Sequence, residues 1–457
     1  MTNTTPHAAD HASDQARPSE DTPAAAAEAP SAAAPPLARV STYVLSHLEE
    51  LLRELLKFQH PADAIVSRYF RQNPKLGGRE RALLAEAAYT VLRLRTLFTH
   101  FSEKEEGSVR RRFALLGLCE VTSSAAFDGL LPAQERAWLQ RLHTVDRQSL
   151  GLLIQTNLPQ WLLEQLIADH GRETALAYAR ASLTGAPLDI RVNTLKADVP
   201  QVQNALNEAG VVATTLPWPS DALRLVGKPA LQKTAAFTNG WLEVQDAGSQ
   251  LLAHVLAPKR GEMVVDFCAG AGGKTLALGA LMRSSGRLYA CDVSDTRLAK
   301  LKPRMARSGL SNVTPLRIEH EQDARLRRLY NKIDRVLVDA PCSGLGTLRR
   351  NPDLKWRQTQ KTIAEMRGKQ ARILAAASKL LKVGGTLLYA TCSVLKAENE
   401  EIVDAFLAAN PNFTLVPVNE ALAAQKIPLE MPNSYLQLWP QTHDTDGFFA
   451  ALLQRQA

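Results

Sequence analysis

Met263-Val264-Val265-Asp266-Phe267-Cys268-Ala269-Gly270-Ala271-Gly272-Gly273-Lys274-Thr275 is the stretch that decides the fold. Its first four residues read as a buried strand. Gly270, Gly272 and Gly273 then let the backbone turn tightly and approach a ligand closely. A helix follows from Thr275. Strand, glycine turn and helix in succession make the opening unit of a nucleotide-binding α/β sheet, whose loops gather at the carboxyl edge where ligands bind. Gly273-Lys274-Thr275 tempts a phosphate-loop reading. That motif needs a glycine five positions before Gly273, and position 268 is Cys. A dehydrogenase fingerprint needs glycine at 275, which is Thr. The loop is nucleotide-like and fits neither pattern.

Outward from this unit, strands and helices alternate as in a doubly wound sheet. Runs 263–266, 287–292, 312–318, 333–339, 385–390, 413–417 and 447–452 read as its strands. Asp292 ends the second, about 20 residues past the glycine loop, where an acid commonly grips a ribose diol. Ser294 and Asp295 are at least as well suited to cap the helix that follows. Asp323 comes after the third strand, where an adenine would lie. Its blander reading is a solvated acid beside Arg325, Arg327 and Arg328.

Two cysteines sit just past strands. Asp339-Ala340-Pro341-Cys342 ends the fourth and Thr391-Cys392-Ser393 the fifth, so both thiols reach the same edge. A free cysteine is usually a small buried hydrophobe. A metal site is disfavoured, since no Cys-x-x-Cys or nearby His supplies further ligands. One reaction needs a thiol beside a methyl donor. Carbon 5 of cytosine is too poor a nucleophile to take a methyl group directly. A thiolate adding to carbon 6 makes carbon 5 nucleophilic; after transfer the carbon-5 proton leaves and the thiolate is expelled. Asp339 is placed to stabilise charge at ring nitrogen 3. Spacing alone does not say which cysteine attacks.

The 457 residues carry a net charge of +8, and residues 1–36 hold five acids against Arg17 alone, so the remainder is more basic still. A basic body favours a polyanionic partner. The 1–36 tail, mostly Ala, Pro, Ser, Thr and acid, is expected to be disordered. Five unpatterned cysteines argue against a disulfide framework and for a reducing cytoplasm. No secretory signal or membrane span is expected. Val40, Val44, Leu48, Leu51, Leu52 and Leu55 recur at helical spacing, Ala82–Phe101 reads as one long helix, and helical patterns continue to about Leu183. Runs 187–194 and 210–214 read as strands around a helix at 199–209. Arg349, Arg350, Lys355, Trp356 and Arg357 mix cations with an aromatic ring, and Arg110, Arg111 and Arg112 form a second basic cluster; both are candidate RNA contacts.

The motifs Asp266–Thr275, Asp292-Val293-Ser294, Asp339–Gly346, Arg349–Asp353, Thr391–Val394 and Asp446–Phe449 together resemble the Sun/Fmu family of S-adenosylmethionine-dependent RNA cytosine-5 methyltransferases, over roughly residues 185–457. Gly78–Leu84 with Val91-Leu92-Arg93 is similar to the NusB-like RNA-binding domain of the bacterial ribosomal members. The resemblance implies a Rossmann-like class I methyltransferase domain (241–457) after a small α+β subdomain (185–240), a helical connector (151–184) and an all-α NusB-like domain (37–150). It implies Cys392 as the nucleophile and Cys342 as the residue assisting release, opposite to the order in DNA cytosine-5 methyltransferases. It places Cys268, Ala269, Gly270, Ala271, Gly272, Gly273 and Lys274 at the donor's methionine end, Asp292 at its ribose, Asp323 at its adenine and Asp339 near the reacting groups. The substrate implied is ribosomal RNA, with transfer RNA as the nearest competitor and a non-catalytic assembly factor as the rival class; a monomer is expected. One departure is visible. The family's Ala-Ala-Pro-Gly-Gly-Lys-Thr is here Ala269-Gly270-Ala271-Gly272-Gly273-Lys274-Thr275, so a looser loop is expected.

Overall fold

Strong helical amphipathicity shapes the first part of the chain in the computed structural model, which describes residues 40–456 apart from positions 104, 106 and 128. The 1–36 tail lies outside the described residues. In the helix Thr42–Leu55, Val44, Leu48, Leu51, Leu52 and Leu55 share one buried face, and Ser41 caps its start by accepting from Val44 N. They join Leu84, Val91, Leu92, Phe98 and Leu115 in one helical core.

The single helix expected over 82–101 is two, Gly78–Arg93 and Arg95–Ser102, with Leu94 out of helical geometry between them. The Leu97 amide donates 3.0 Å to the Asn157 side chain, a cap supplied from 60 residues away that no local pattern reveals. Helices Gln160–His170 and Arg172–Ala181 follow, hinged at Gly171 with φ +81.

A small antiparallel sheet comes next, in the order β2-β3-β1-β4, from β1 (Leu188–Val192), β2 (Ala213–Thr215), β3 (Ala222–Leu225) and β4 (Leu242–Val244). Its helix Val199–Glu208 is closed by a capping box between Asp198 and Gln201.

The large sheet contains β5 (Met263–Asp266), β6 (Arg287–Asp292), β7 (Val313–Arg317), β8 (Ile333–Asp339), β9 (Leu381–Thr391), β10 (Phe413–Val416), β11 (Leu436–Leu438) and β12 (Phe448–Arg455). Its order is β10-β12-β9-β8-β5-β6-β7, with β11 against β12. Strands β5 to β9 run parallel, and β12 is inserted antiparallel between β9 and β10. Side chains alternate between two apolar layers. Val264, Leu288, Leu337 and Leu388 enter one, while Val265, Tyr289, Val336 and Leu387 enter the other. Strand order reverses between β5 and β8, which opens a crevice at their carboxyl ends.

Candidate active site

The glycine loop leaves β5 at this crevice. Gly270 and Gly272 have φ of +56 and +86, which only glycine adopts freely. A Cβ on Gly272 would also lie 2.1 Å from Leu301 Cδ1. Two hydrogen bonds tie the loop. Gly272 N donates to Ala269 O at 2.8 Å, and Arg304, paired with Glu243 at 3.0 Å, donates to the Ala271 carbonyl at 2.6 Å. Arg304 anchors the position where the family's proline would stiffen the chain.

Asp292 faces this loop from β6. One carboxylate oxygen accepts from Gly270 N and the other from Ser294 N, both at 2.8 Å, and Arg297 pairs with it at 3.2 Å. Asp266, not singled out in the sequence, is equally central. It is buried, accepts 2.7 Å from the Thr275 hydroxyl, and leaves Oδ1 without a hydrogen-bond partner. Burial pushes its carboxyl up to about 7. The available signal was its place as the last residue of the strand before the glycine loop.

These groups line a cavity of about 430 Å³ together with Cys268, Lys274, Ile318, Asp339, Cys342 and Cys392. The bare backbone at Gly270 and Gly273, an orphan carboxylate oxygen and the Asp292 carboxylate form a cradle suited to an adenosyl amino-acid donor.

The loops after β8 and β9 bring Cys342 Sγ and Cys392 Sγ to 3.5 Å. Lys274 Nζ bonds Asp339 at 2.7 Å. Burial opposes the lysine's charge, but Asp339, with a further contribution from Cys392, outweighs it and raises its pKa. Cys342 is pushed well above an ordinary thiol by its hydrogen bond with Cys392, by burial, and by the nearby Glu398 charge. The connector braces both loops, through Tyr178 OH to Leu345 O and His170 Nε2 to Val394 O at 2.7 Å.

Three expectations meet contacts that the sequence did not show. Asp323 is buried as an N-cap, accepting from Glu319 N and Arg325 N at 2.8 Å each, and Ile318 and Glu321 of the same stretch line the cavity. The cluster 349–357 is largely engaged within the protein. Lys355 is 1% exposed and donates to Arg93 O at 2.8 Å, and Trp356 Nε1 donates to Leu92 O at 2.7 Å. Arg349 pairs with Asp444, and Arg350 with Asp246 and Asp446. These residues form the seam between the helical part and the large sheet. In the third case, Arg111 is paired with Glu49 and Glu135 and Arg112 is buried, which leaves Arg110 as the exposed member of that cluster.

Among the described residues, no group of three or more His, Cys, Asp or Glu is arranged to hold a metal ion, and no helix is long and apolar enough to cross a membrane.

A family model described as 16S rRNA methyltransferase RsmB/F matches residues 253–454, and one described as the ferredoxin-like domain of RsmF/B-like methyltransferases matches residues 158–232. The second takes in the connector helices as well as most of the small sheet. The probable ribosomal RNA small subunit methyltransferase B of Synechocystis sp. is 32% identical over 438 residues, 89% of this chain and 98% of that protein. Ribosomal RNA small subunit methyltransferase B of Vibrio vulnificus is 35% identical over 303 residues, 65% of this chain and 67% of that protein. The crystal structure of PH0851 is similar with a TM-score of 0.70 and 28% identity, covering 91% of this chain and 99% of its own. With its glycine loop, paired thiols and near full-length likeness to the Synechocystis protein, the chain belongs to the RsmB/F family of 16S rRNA methyltransferases.

Proposed function

We propose that this protein methylates carbon 5 of a cytosine in small-subunit ribosomal RNA, through a covalent adduct between Cys392 and carbon 6. The observation that carries the reading is the pair of thiols 3.5 Å apart on the wall of the cavity that holds the glycine loop. S-adenosylmethionine supplies the methyl group. Residues 268–274 would hold its methionine end, Asp292 its ribose hydroxyls and the Asp323 corner its adenine.

Cys392 is the attacking thiolate. Its thiol lines the cavity together with Lys274 and lies 3.5 Å from the Cys342 sulfur. Cys342 assists release as the base of the elimination: its thiolate, made more basic by its raised pKa, takes the carbon-5 proton, the carbon 5–carbon 6 double bond re-forms, and the bond from carbon 6 to Cys392 breaks to return the Cys392 thiolate. Asp339, oriented by Lys274, faces ring nitrogen 3 and passes it a proton from the Lys274–Asp339 pair, which neutralises the negative charge that attack places there. The target base must be unpaired or turned out of its helix to enter.

The test incubates purified protein with labelled donor and 16S rRNA from cells lacking the enzyme, with 23S and transfer RNA in parallel. The expected product is 5-methylcytosine in 16S rRNA. Cys392→Ala abolishes it, whereas Cys342→Ala accumulates a covalent protein–RNA complex. Absence of 5-methylcytosine from every RNA overturns the reading, and trapping by Cys392→Ala in place of Cys342→Ala reverses the roles.

A further inference from the structure

Glu398 lies six residues beyond Cys392 and is fully buried, and its hydrogen-bond partners are all neutral. Oε1 accepts from Ser343 N at 2.8 Å and from Gln370 Nε2 at 3.0 Å. Oε2 accepts from the hydroxyls of both Ser343 and Ser393. Ser343 directly follows Cys342 and Ser393 directly follows Cys392. Gln370 also donates to Pro341 O at 3.0 Å, which adds a third grip on the Cys342 loop. The two loops leave neighbouring parallel strands, whose spacing alone does not bring side chains beyond their ends into contact. An ionised carboxylate only accepts, and here every lone-pair direction is used by a donor from one loop or the helix behind it. A buried charge is costly unless fully hydrogen-bonded, so its presence among neutral partners asks for a reason.

We propose that Glu398 is a positioning residue that joins the two cysteine loops and fixes the separation and facing of the Cys342 and Cys392 thiols. The inference rests on both thiols serving one reaction, but its geometric content stands apart from the substrate. A displacement of the sulfurs by about 1 Å costs on the order of 100-fold in rate when reacting groups must meet in register. The Glu398 charge acts on Cys342 as well, in the direction that keeps that thiol protonated.

The test uses phenylarsine oxide, which binds two adjacent thiols through two As–S bonds and releases water, and needs neither RNA nor donor. The wild-type pair is bridged, as read by intact mass. Glu398→Ala weakens bridging at least about tenfold and lowers kcat by a similar factor with KM for RNA unchanged. Glu398→Gln restores both. Its amide oxygen keeps Ser343 N and Gln370, and its NH2 donates to the serine hydroxyls, which rotate to accept. In this variant alkylation of Cys342 also moves to lower pH. Should Glu398→Ala not fold, the Ser343→Ala/Ser393→Ala double variant, which keeps the carboxylate, gives the same weakening. Unchanged bridging in folded Glu398→Ala or in the double variant overturns the proposal, as does a Glu398→Gln variant as impaired as Glu398→Ala. If bridging follows the expected pattern while wild-type protein methylates no cytosine, the positioning role stands and the proposed reaction fails.

Discussion

At Gly346 a single methyl group has nowhere to go. A Cβ there would lie 2.1 Å from Gly447 O and 2.8 Å from Cys392 O. Gly346 N donates to Cys392 O, and Gly447 N donates to Gly346 O, each at 2.8 Å. Gly346→Ala must therefore move the backbone that carries Cys392. The expected result is a folded protein with kcat reduced at least about tenfold, checked by steady-state methylation alongside circular dichroism. Asp266 gives a pH prediction. Its carboxyl, raised to about 7 by burial, favours folding in its neutral form. That contribution is complete below the ordinary carboxylate value near 4 and is lost as pH rises through about 7. Without donor, Asp266→Asn should melt higher than wild type at pH 8, by the equivalent of roughly 1–4 kcal/mol, and equal to it near pH 4. Differential scanning calorimetry at the two pH values checks both ends. Residue types at strand ends were legible in the sequence, because Asp292, Cys342 and Cys392 each follow a readable apolar run. Glu398 was not, because its meaning lies in four donors that the fold brings from three segments.

Among the elements, the connector helices matter through two contacts with the cysteine loops. Leu158, Leu162, Leu166 and Tyr178 share an apolar cluster with Leu345, Leu348, Val394 and Leu395. Tyr178→Phe leaves the buried Leu345 carbonyl without its donor and should cost about 1–3 kcal/mol, read by urea denaturation, with a slower reaction at saturating substrate. Long parallel strands were readable from continuous apolar runs, and Ile333–Asp339 agrees residue for residue with its expected span. The short strands β3, β4 and β11 carry three or four residues each, too few for a period to show, and exist because a partner strand aligns them. The break at Leu94 was hidden for a similar reason: Asn157 caps the second helix from far along the chain.

For the molecule as a whole, the seam around Trp356 joins the helical part to the large sheet. Arg93 donates to Arg349 O at 3.0 Å, Ala62 N to Asp353 at 3.2 Å, and the Arg95 guanidinium lies over the Trp356 ring at 4.9 Å. Far-UV circular dichroism and tryptophan fluorescence should therefore report one coincident urea transition. Trp356→Ala should split it in two, with the helical part melting first. The same residues misled the sequence reading, since a run of cations looks identical whether it faces water or a carbonyl. Order along the chain has its own consequence. β12 lies inside the sheet, not at its margin, and Gly447 closes over Gly346 just before it. On the ribosome, both cysteines emerge long before the strand that completes their surroundings. The nascent chain thus carries an open sheet edge at β9 until β12 arrives, and synthesis must pass residue 455 before the thiols have their finished setting.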